Sequence, residues 1–204
     1  MKYYKGKFEF VKSMVQNDKV LLDLGCRDNV LKTYLPPSTK YTGMDLFQNN
    51  HQGVDVLGNI EDGLPFEDFE FDYIVALDLF EHLNDMQKAM SDTIKKLKSK
   101  GKLIIQLPNM SYFIYRWDIL INGRLTITDK YKLTYNYGLD RHRWFTTMIE
   151  TDEFMHQFSK SNGLDFKKFA IVSPKLKFIG DLLTPIGIKE YSYSNAVIYV
   201  LEKP

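Results

Sequence analysis

Apolar residues fall in short runs along this chain, separated by polar and glycine-rich stretches. Val20-Leu21-Leu22, closed by Asp23 and Gly25, reads as a strand buried on both faces that ends in a turn. Ahead of it, Phe8, Val11, Met14 and Val15 recur at helical spacing and predict an amphipathic helix. Behind it, Val30, Leu31, Tyr34 and Leu35 keep the same period until Pro36-Pro37, which cannot extend a helix.

Residues 40–45, 54–57 and 71–77 are three further β-favouring runs, each followed by polar or glycine-rich residues. Residues 84–98 carry Met86, Ala89, Met90, Ile94 and Leu97 with lysines gathered towards the end, which predicts a helix that Gly101 terminates. A buried strand is expected at 102–107, a helix at 151–161 stopped by Gly163, and final strands at 166–172 and 196–201. Strands alternating with helices at these intervals predict right-handed crossovers and a mostly parallel seven-stranded sheet covered on both faces. Ligands of such sheets sit beyond the carboxyl ends of the strands, so the site is to be sought there.

Length and charge narrow the picture. The 204 residues suit one domain, 1–204, and 27 Lys and Arg against 26 Asp and Glu give no broad attraction to nucleic acid or an anionic membrane. The opening MKYYKGKFEFVK scatters charge among aromatics, unlike a signal peptide, and no run approaches the roughly 20 apolar residues needed to span a bilayer. The expectation is a cytoplasmic protein without membrane insertion. Cys26 is the only cysteine, which excludes an internal disulfide and a cysteine-rich zinc site.

The ordered set DLGC at 23–26, YTGMD at 41–45, GNIEDGLPF at 58–66, FDYIVALDLFEHL at 71–83 and LKSKGKLIIQLPN at 97–109 resembles class I S-adenosylmethionine-dependent methyltransferases. YGLDRHRWFT at 137–146 is similar to the segment before the late helix in small-molecule members of the methionine-biosynthesis-like and quinone-biosynthesis-like branches. The resemblance implies an α/β, three-layer Rossmann-like fold with strand order 3-2-1-4-5-7-6 and an antiparallel last strand. It also implies S-adenosyl-L-methionine as cofactor.

Asp45 lies 22 positions after Asp23, the acidic spacing suited to gripping two ribose hydroxyls. The resemblance implies cofactor contacts from Asp23, Gly25 and Cys26 in the first loop, Leu46 on one adenine face, and Asn59 and Ile60 at the adenine edge. It places Leu77 and Asp78 near the cofactor's ammonium. Cys26 also reads as a small, soft side chain packed beside a tight turn. Arg27 and Asn29 stand where a dinucleotide loop has glycines; Asn29 can adopt the left-handed backbone that glycine usually fills. A nicotinamide-dependent dehydrogenase would need that full glycine loop.

Methyl transfer is an in-line displacement at a sulfonium, so alignment dominates, with a base where the acceptor must lose a proton. His82 and His142 are the candidate bases. Glu81-His82-Leu83 also reads simply as the approach to a helix capped by Asn84. Asp78-Leu79-Phe80-Glu81-His82 resembles the acidic-x-x-Glu-His element that some quinone and RNA-end methyltransferases use to bind a divalent metal, with His142 as the later histidine.

Aromatics crowd residues 112–145, and with Arg116, Arg124, Arg141 and Arg143 they suggest a substrate lid at about 109–146 for a flat or apolar acceptor with an anionic group. A homodimer face is the alternative for that segment. Residues 173–194 mix apolar and lysine side chains that suit shielding, subunit contact or a lipid-like substrate. The expected function is O- or N-methylation of a small-molecule or carrier-linked metabolite. Its rival is a catalytically silent subunit of the same fold.

Overall fold

The computed structural model describes residues 6–132, 141–144, 146–171 and 192–204. Seven strands form one sheet: β1 (Val20–Leu24), β2 (Lys40–Asp45), β3 (Val56–Leu57), β4 (Phe71–Leu77), β5 (Leu97–Pro108), β6 (Asp165–Ile171) and β7 (Ala196–Glu202). Their order is β3-β2-β1-β4-β5-β7-β6, with β7 antiparallel to both neighbours and the pairings from β3 through β5 parallel. The fold expected from the sequence is the fold observed.

Alternation along the strands divides the interior into two layers. Leu22, Leu24, Ile74, Ala76, Leu103 and Ile105 face one side, where α2 (Met86–Lys95) and α4 (Met148–Ser161) bury Met90, Ile94, Met155 and Phe158. Leu21, Tyr73, Val75 and Ile104 face the other, covered by α1 (Lys7–Met14) through Phe10 and Val11. Period-2 placement puts Asp23 on the α1 side, with Leu21.

Several local expectations are corrected. The residues after the β1 turn form a 3₁₀ helix, Val30–Tyr34, and β3 is only Val56–Leu57, within the expected 54–57. The helix expected over 84–98 ends at Lys95, and its cap is Asp85, whose side chain accepts from the Lys88 N–H at 2.8 Å. Asn84 instead donates to Glu61. Gly101 does not follow a helix: β5 already begins at Leu97, and a Cβ at Gly101 would lie 2.8 Å from the Lys98 carbonyl and 3.1 Å from that of Phe71. Glycine there permits the close approach at an irregularity in the β4–β5 register.

α4 begins at Met148, earlier than expected, because Thr147 and Glu150 form a capping box. A helix unforeseen in the sequence, α3 (Phe113–Asn122), lies within the aromatic segment and ends at Gly123, φ 66°. Its polarity is inverted. Asp118 is its buried residue, accepting from Asn122, Thr126 and Ile127, while Trp117, Leu120 and Ile121 are exposed. Val172, Tyr135, Tyr137, Phe145 and 173–191 of the second loop fall outside the described residues.

Candidate active site

Beyond the carboxyl ends of β1, β2 and β4 opens a cleft of about 720 Å³. The β1 turn forms one wall. Gly25 and Cys26 both donate their N–H to the Met44 carbonyl, at 2.9 and 3.2 Å, which folds the loop back onto β2. This tight return needs unusual backbone: φ is 71° at Gly25, 47° at Arg27 and 55° at Asn29. Asn29 adopts the left-handed conformation expected of it, and its amide donates to the Gly53 carbonyl.

Asp45 carries the opposite wall. Its Oδ2 accepts the Arg27 N–H at 2.9 Å and its Oδ1 the Phe47 N–H at 3.3 Å. Each carboxylate oxygen has a second lone pair, so capacity for two hydroxyl donors remains. Leu46 and Phe47 are exposed beside it; Gly58, Asn59 and Ile60 continue the lining. Asn59 Oδ1 caps its own turn by accepting the Glu61 N–H at 3.0 Å. Glu61 takes three donors from Asn84 and Asp85, which fastens this loop to the start of α2.

Leu77, Asp78, Leu79 and His82 complete the cleft from β4, with Leu83, Arg143 and Lys7 at its mouth. Of the residues assigned to the cofactor from sequence, Gly25, Asp45, Leu46, Asn59, Ile60, Leu77 and Asp78 line this one space. Asp23 and Cys26 do not line it; both are buried beneath the loop. Asp23 accepts from the Tyr41 hydroxyl at 2.8 Å, and burial pushes its carboxyl up to about 7, against the opposing pull of Tyr41 and Lys7. Burial and the charge of Asp23 push the Cys26 thiol up to about 12, which leaves it inert as a nucleophile.

The two candidate bases meet across the chain. Residues 141–144 are stitched to the end of β4: Arg143 N–H donates to the Glu81 carbonyl at 2.8 Å, Arg143 Nε to that of His82 at 2.8 Å, and Trp144 Nε1 to that of Leu83 at 2.9 Å. The His82 and His142 rings stand edge to face, centroids 4.7 Å apart. His142 Nε2 lies 3.9 Å from Glu81 Oε1. Glu81 is 1% exposed, among the described residues neither of its carboxylate oxygens has a hydrogen-bond donor, and burial together with Asp78 pushes it up to about 8. One ligand atom each from Glu81, His82 and His142 lies within 4.8 Å of the others, a carboxylate–imidazole set suited to a divalent cation. Asp78 is engaged elsewhere, by Lys7 and Gln106.

The remaining lid residues divide. Arg143 lines the cleft, whereas Arg116 is held by the Ser111 carbonyl and Ser192 hydroxyl. Lys7, Phe47, Gly58 and Leu79 line the cleft without having been expected to; Gly58 and Leu79 lie within the stretches that carry the resemblance, whereas no spacing pattern marks Lys7 or Phe47.

A sheet in this strand order, with an acid-rimmed cleft at the ends of β1, β2 and β4, is the arrangement that the resemblance to S-adenosylmethionine-dependent methyltransferases implied. The chain belongs to the methyltransferase domain family, whose model matches residues 6–165. Among solved structures it is similar to a SAM-dependent methyltransferase from Thermotoga maritima, at 18% identity over 97% of this chain and 87% of that one, TM-score 0.61. The plantazolicin methyltransferase BpumL, in complex with SAH, is 15% identical over 91% and 76% of the two chains, TM-score 0.58. The [4+2]-cyclase SpnF is 15% identical over 97% and 79%, TM-score 0.61. Identities this low establish the fold alone, and SpnF is a reminder that one fold carries different reactions. No curated protein is significantly similar in sequence. Family membership makes the chain a methyltransferase, and its fold is the one shared by those S-adenosylmethionine-dependent enzymes.

Proposed function

We propose that this methyltransferase transfers the methyl group to a hydroxyl or amine of a small-molecule or carrier-linked metabolite, with the acceptor entering between the cleft and residues 141–144. The reading is carried by the buried Glu81 carboxylate, which has no hydrogen-bond donor among the described residues and sits against His142 and against His82, the one of the three that lines the cleft. A group that expensive to bury is retained where a proton or a cation is handled.

The residues present suit the cosubstrate. Asp45 keeps lone pairs for a diol, Leu46 offers an exposed apolar surface beside it, and Asp78 and Lys7 bring opposite charges to the far end. When bound, S-adenosylmethionine supplies an electrophilic methyl group on a cationic sulfonium. The chain's part is alignment, exclusion of water by the 141–144 segment, and acceptance of the acceptor's proton at an imidazole nitrogen of His82 or His142. Glu81, whose carboxyl is pushed up to about 8, supports an imidazolium formed there in its ionised form, as a neighbouring carboxylate does.

A divalent cation on Glu81, His82 and His142 is the second reading, favoured by the same unsatisfied carboxylate and the clustering of three ligand atoms. Such an ion would lower the pKa of an acceptor hydroxyl directly. The exposed Trp117, Leu120 and Ile121 of α3 are compatible with a homodimer face.

The test is transfer of label from methyl-tritiated S-adenosylmethionine to a pool of hydroxylated and aminated metabolites, followed by mass spectrometry of the products. Label transfer that falls by roughly 10²-fold or more in His142→Ala supports the base role. Transfer to no metabolite, or activity indifferent to both His82→Ala and His142→Ala, overturns the reading.

A further inference from the structure

The structure separates the arginines of the aromatic segment. Arg116 is held by Ser111 and Ser192, and among the described residues neither Arg124, just past the end of α3, nor Arg141 lines the cleft. Arg143 lines it and is an exposed residue. Its backbone N–H donates to the Glu81 carbonyl and its Nε to the His82 carbonyl, each at 2.8 Å, so the side chain is fixed at its root and again at its neck. The forked terminal nitrogens lie beyond Nε, in the one plane that matches a carboxylate or a phosphate. Much of the ordering that binding an anion demands of a long side chain is therefore already in place.

Other charges along the cleft have different tasks. Lys7 pairs with Asp78, and Arg27 belongs to the β1 turn, tied through its N–H to Asp45 at the end read as the nucleoside site. The Glu81 carboxylate takes no hydrogen bond from Arg143, so that buried acid does not hold the guanidinium.

His82 decides what stands beside this cation. Its Nδ1 meets the Arg141 carbonyl at 3.2 Å; a carbonyl can only accept, so Nδ1 carries the hydrogen and Nε2 is the basic nitrogen. The same residue thus offers a base from its ring and holds Arg143 through its carbonyl. Base and cation lie within the span of one residue.

We infer that Arg143 receives an oxyanion of the acceptor, a carboxylate or a phosphate, and that the methyl-accepting hydroxyl or amine lies only a few bonds from that anion. The inference rests on methyl transfer in this cleft and narrows its acceptor to short hydroxy acids, amino acids and phosphorylated alcohols or amines of similar span. A neutral acceptor leaves the fork without the ligand it fits, and a long one carries its anion past Arg143 when its nucleophile reaches His82. Selection is therefore by charge and by the spacing of two groups.

The test applies methyl-tritiated S-adenosylmethionine and the full chain to a metabolite pool, then passes the products over an anion exchanger, which the cationic donor does not bind. Label is expected in the retained fraction. Alkaline phosphatase applied to the pool beforehand removes a phosphate acceptor and spares a carboxylate one. With the retained fraction as acceptor, Arg143→Gln should raise the apparent KM roughly ten- to hundredfold, change kcat less, and leave S-adenosylhomocysteine affinity within about twofold. Arg143→Lys, which keeps the charge and loses the fork, should fall between. Trp144→Phe removes the bond to the Leu83 carbonyl and keeps the guanidinium, so it should leave that KM within a few-fold of the wild type. Thermal melts of each variant confirm a folded chain. Label confined to the unretained fraction, an unmoved KM in Arg143→Gln, or equal KM effects of Arg143→Gln and Trp144→Phe overturns the inference and leaves methyl transfer standing. Label in neither fraction overturns both.

Discussion

Asp45 and Arg27 are joined through backbone: the Asp45 carboxylate accepts the Arg27 N–H at 2.9 Å, so the acid at the end of β2 holds the turn that follows β1. Asp45→Asn keeps an acceptor for that N–H and loses the charge available to ribose hydroxyls; Asp45→Ala loses both. Both variants are expected to weaken S-adenosylhomocysteine by about 1.5–3 kcal/mol in calorimetry. Only Asp45→Ala should also lower the unfolding free energy, by about 1 kcal/mol, read from urea denaturation.

Asp23 gives the fold a pH dependence of defined sign. Its carboxyl titrates at about 7 in the folded chain against an ordinary 3.8, because it is buried. Between those values the folded chain keeps a proton that the unfolded chain has released, so stability falls as pH rises, by at most about 1.4 kcal/mol per unit from this group. Glu81, raised to about 8 by its own burial, adds a slope of the same sign, so urea unfolding across that interval should show both and Asp23→Asn, which still offers Tyr41 an acceptor, should remove only the Asp23 share.

Glu81 separates the two readings of the catalytic cluster. If Glu81, His82 and His142 hold a divalent cation, Mg²⁺ or Mn²⁺ at a hundredfold excess over its dissociation constant stabilises the chain by about 2.7 kcal/mol. Glu81→Gln and His142→Ala should each abolish that thermal shift. Melting temperatures indifferent to Mg²⁺, Mn²⁺ and chelator in the wild type leave the proton-handling role alone.

Gly43 lies under the cofactor loop, where a Cβ would meet Asn29 Oδ1 at 2.8 Å, Cys26 Sγ at 2.9 Å and the Tyr41 hydroxyl at 3.1 Å. Gly43→Ala is therefore expected to destabilise the chain by about 1–3 kcal/mol through overpacking. A lowered denaturant midpoint at unchanged slope is the signature, and an unchanged midpoint contradicts the close packing.

Much of this arrangement was legible in the sequence where one local rule decided the outcome. The alternation of buried runs and helices gave the sheet, and the tolerance of asparagine for left-handed backbone anticipated Asn29 at φ 55°. Local rules failed where tertiary partners overrode them. Lys98, Ser99 and Lys100 look like the polar end of a helix, yet backbone pairing of Leu97 with Phe71 draws them into β5. α3 escaped notice because apolar periodicity signals a face turned to the core, and this helix turns Asp118 inward instead. The Thr147–Glu150 capping box was readable and marks α4 at its true start. The meeting of Lys7 with Asp78, 71 positions apart, leaves no trace in spacing.

The two tryptophans of the chain differ in how they are held. Trp117 is 63% exposed on α3, whereas Trp144 is 38% exposed and its indole N–H is tied to the Leu83 carbonyl beside the cleft. Iodide will therefore reach both fluorophores, Trp117 more readily, and a ligand that covers Trp144 lowers the quenchable share of the emission. The protein thus carries its own optical gauge of cleft occupancy, with no label attached.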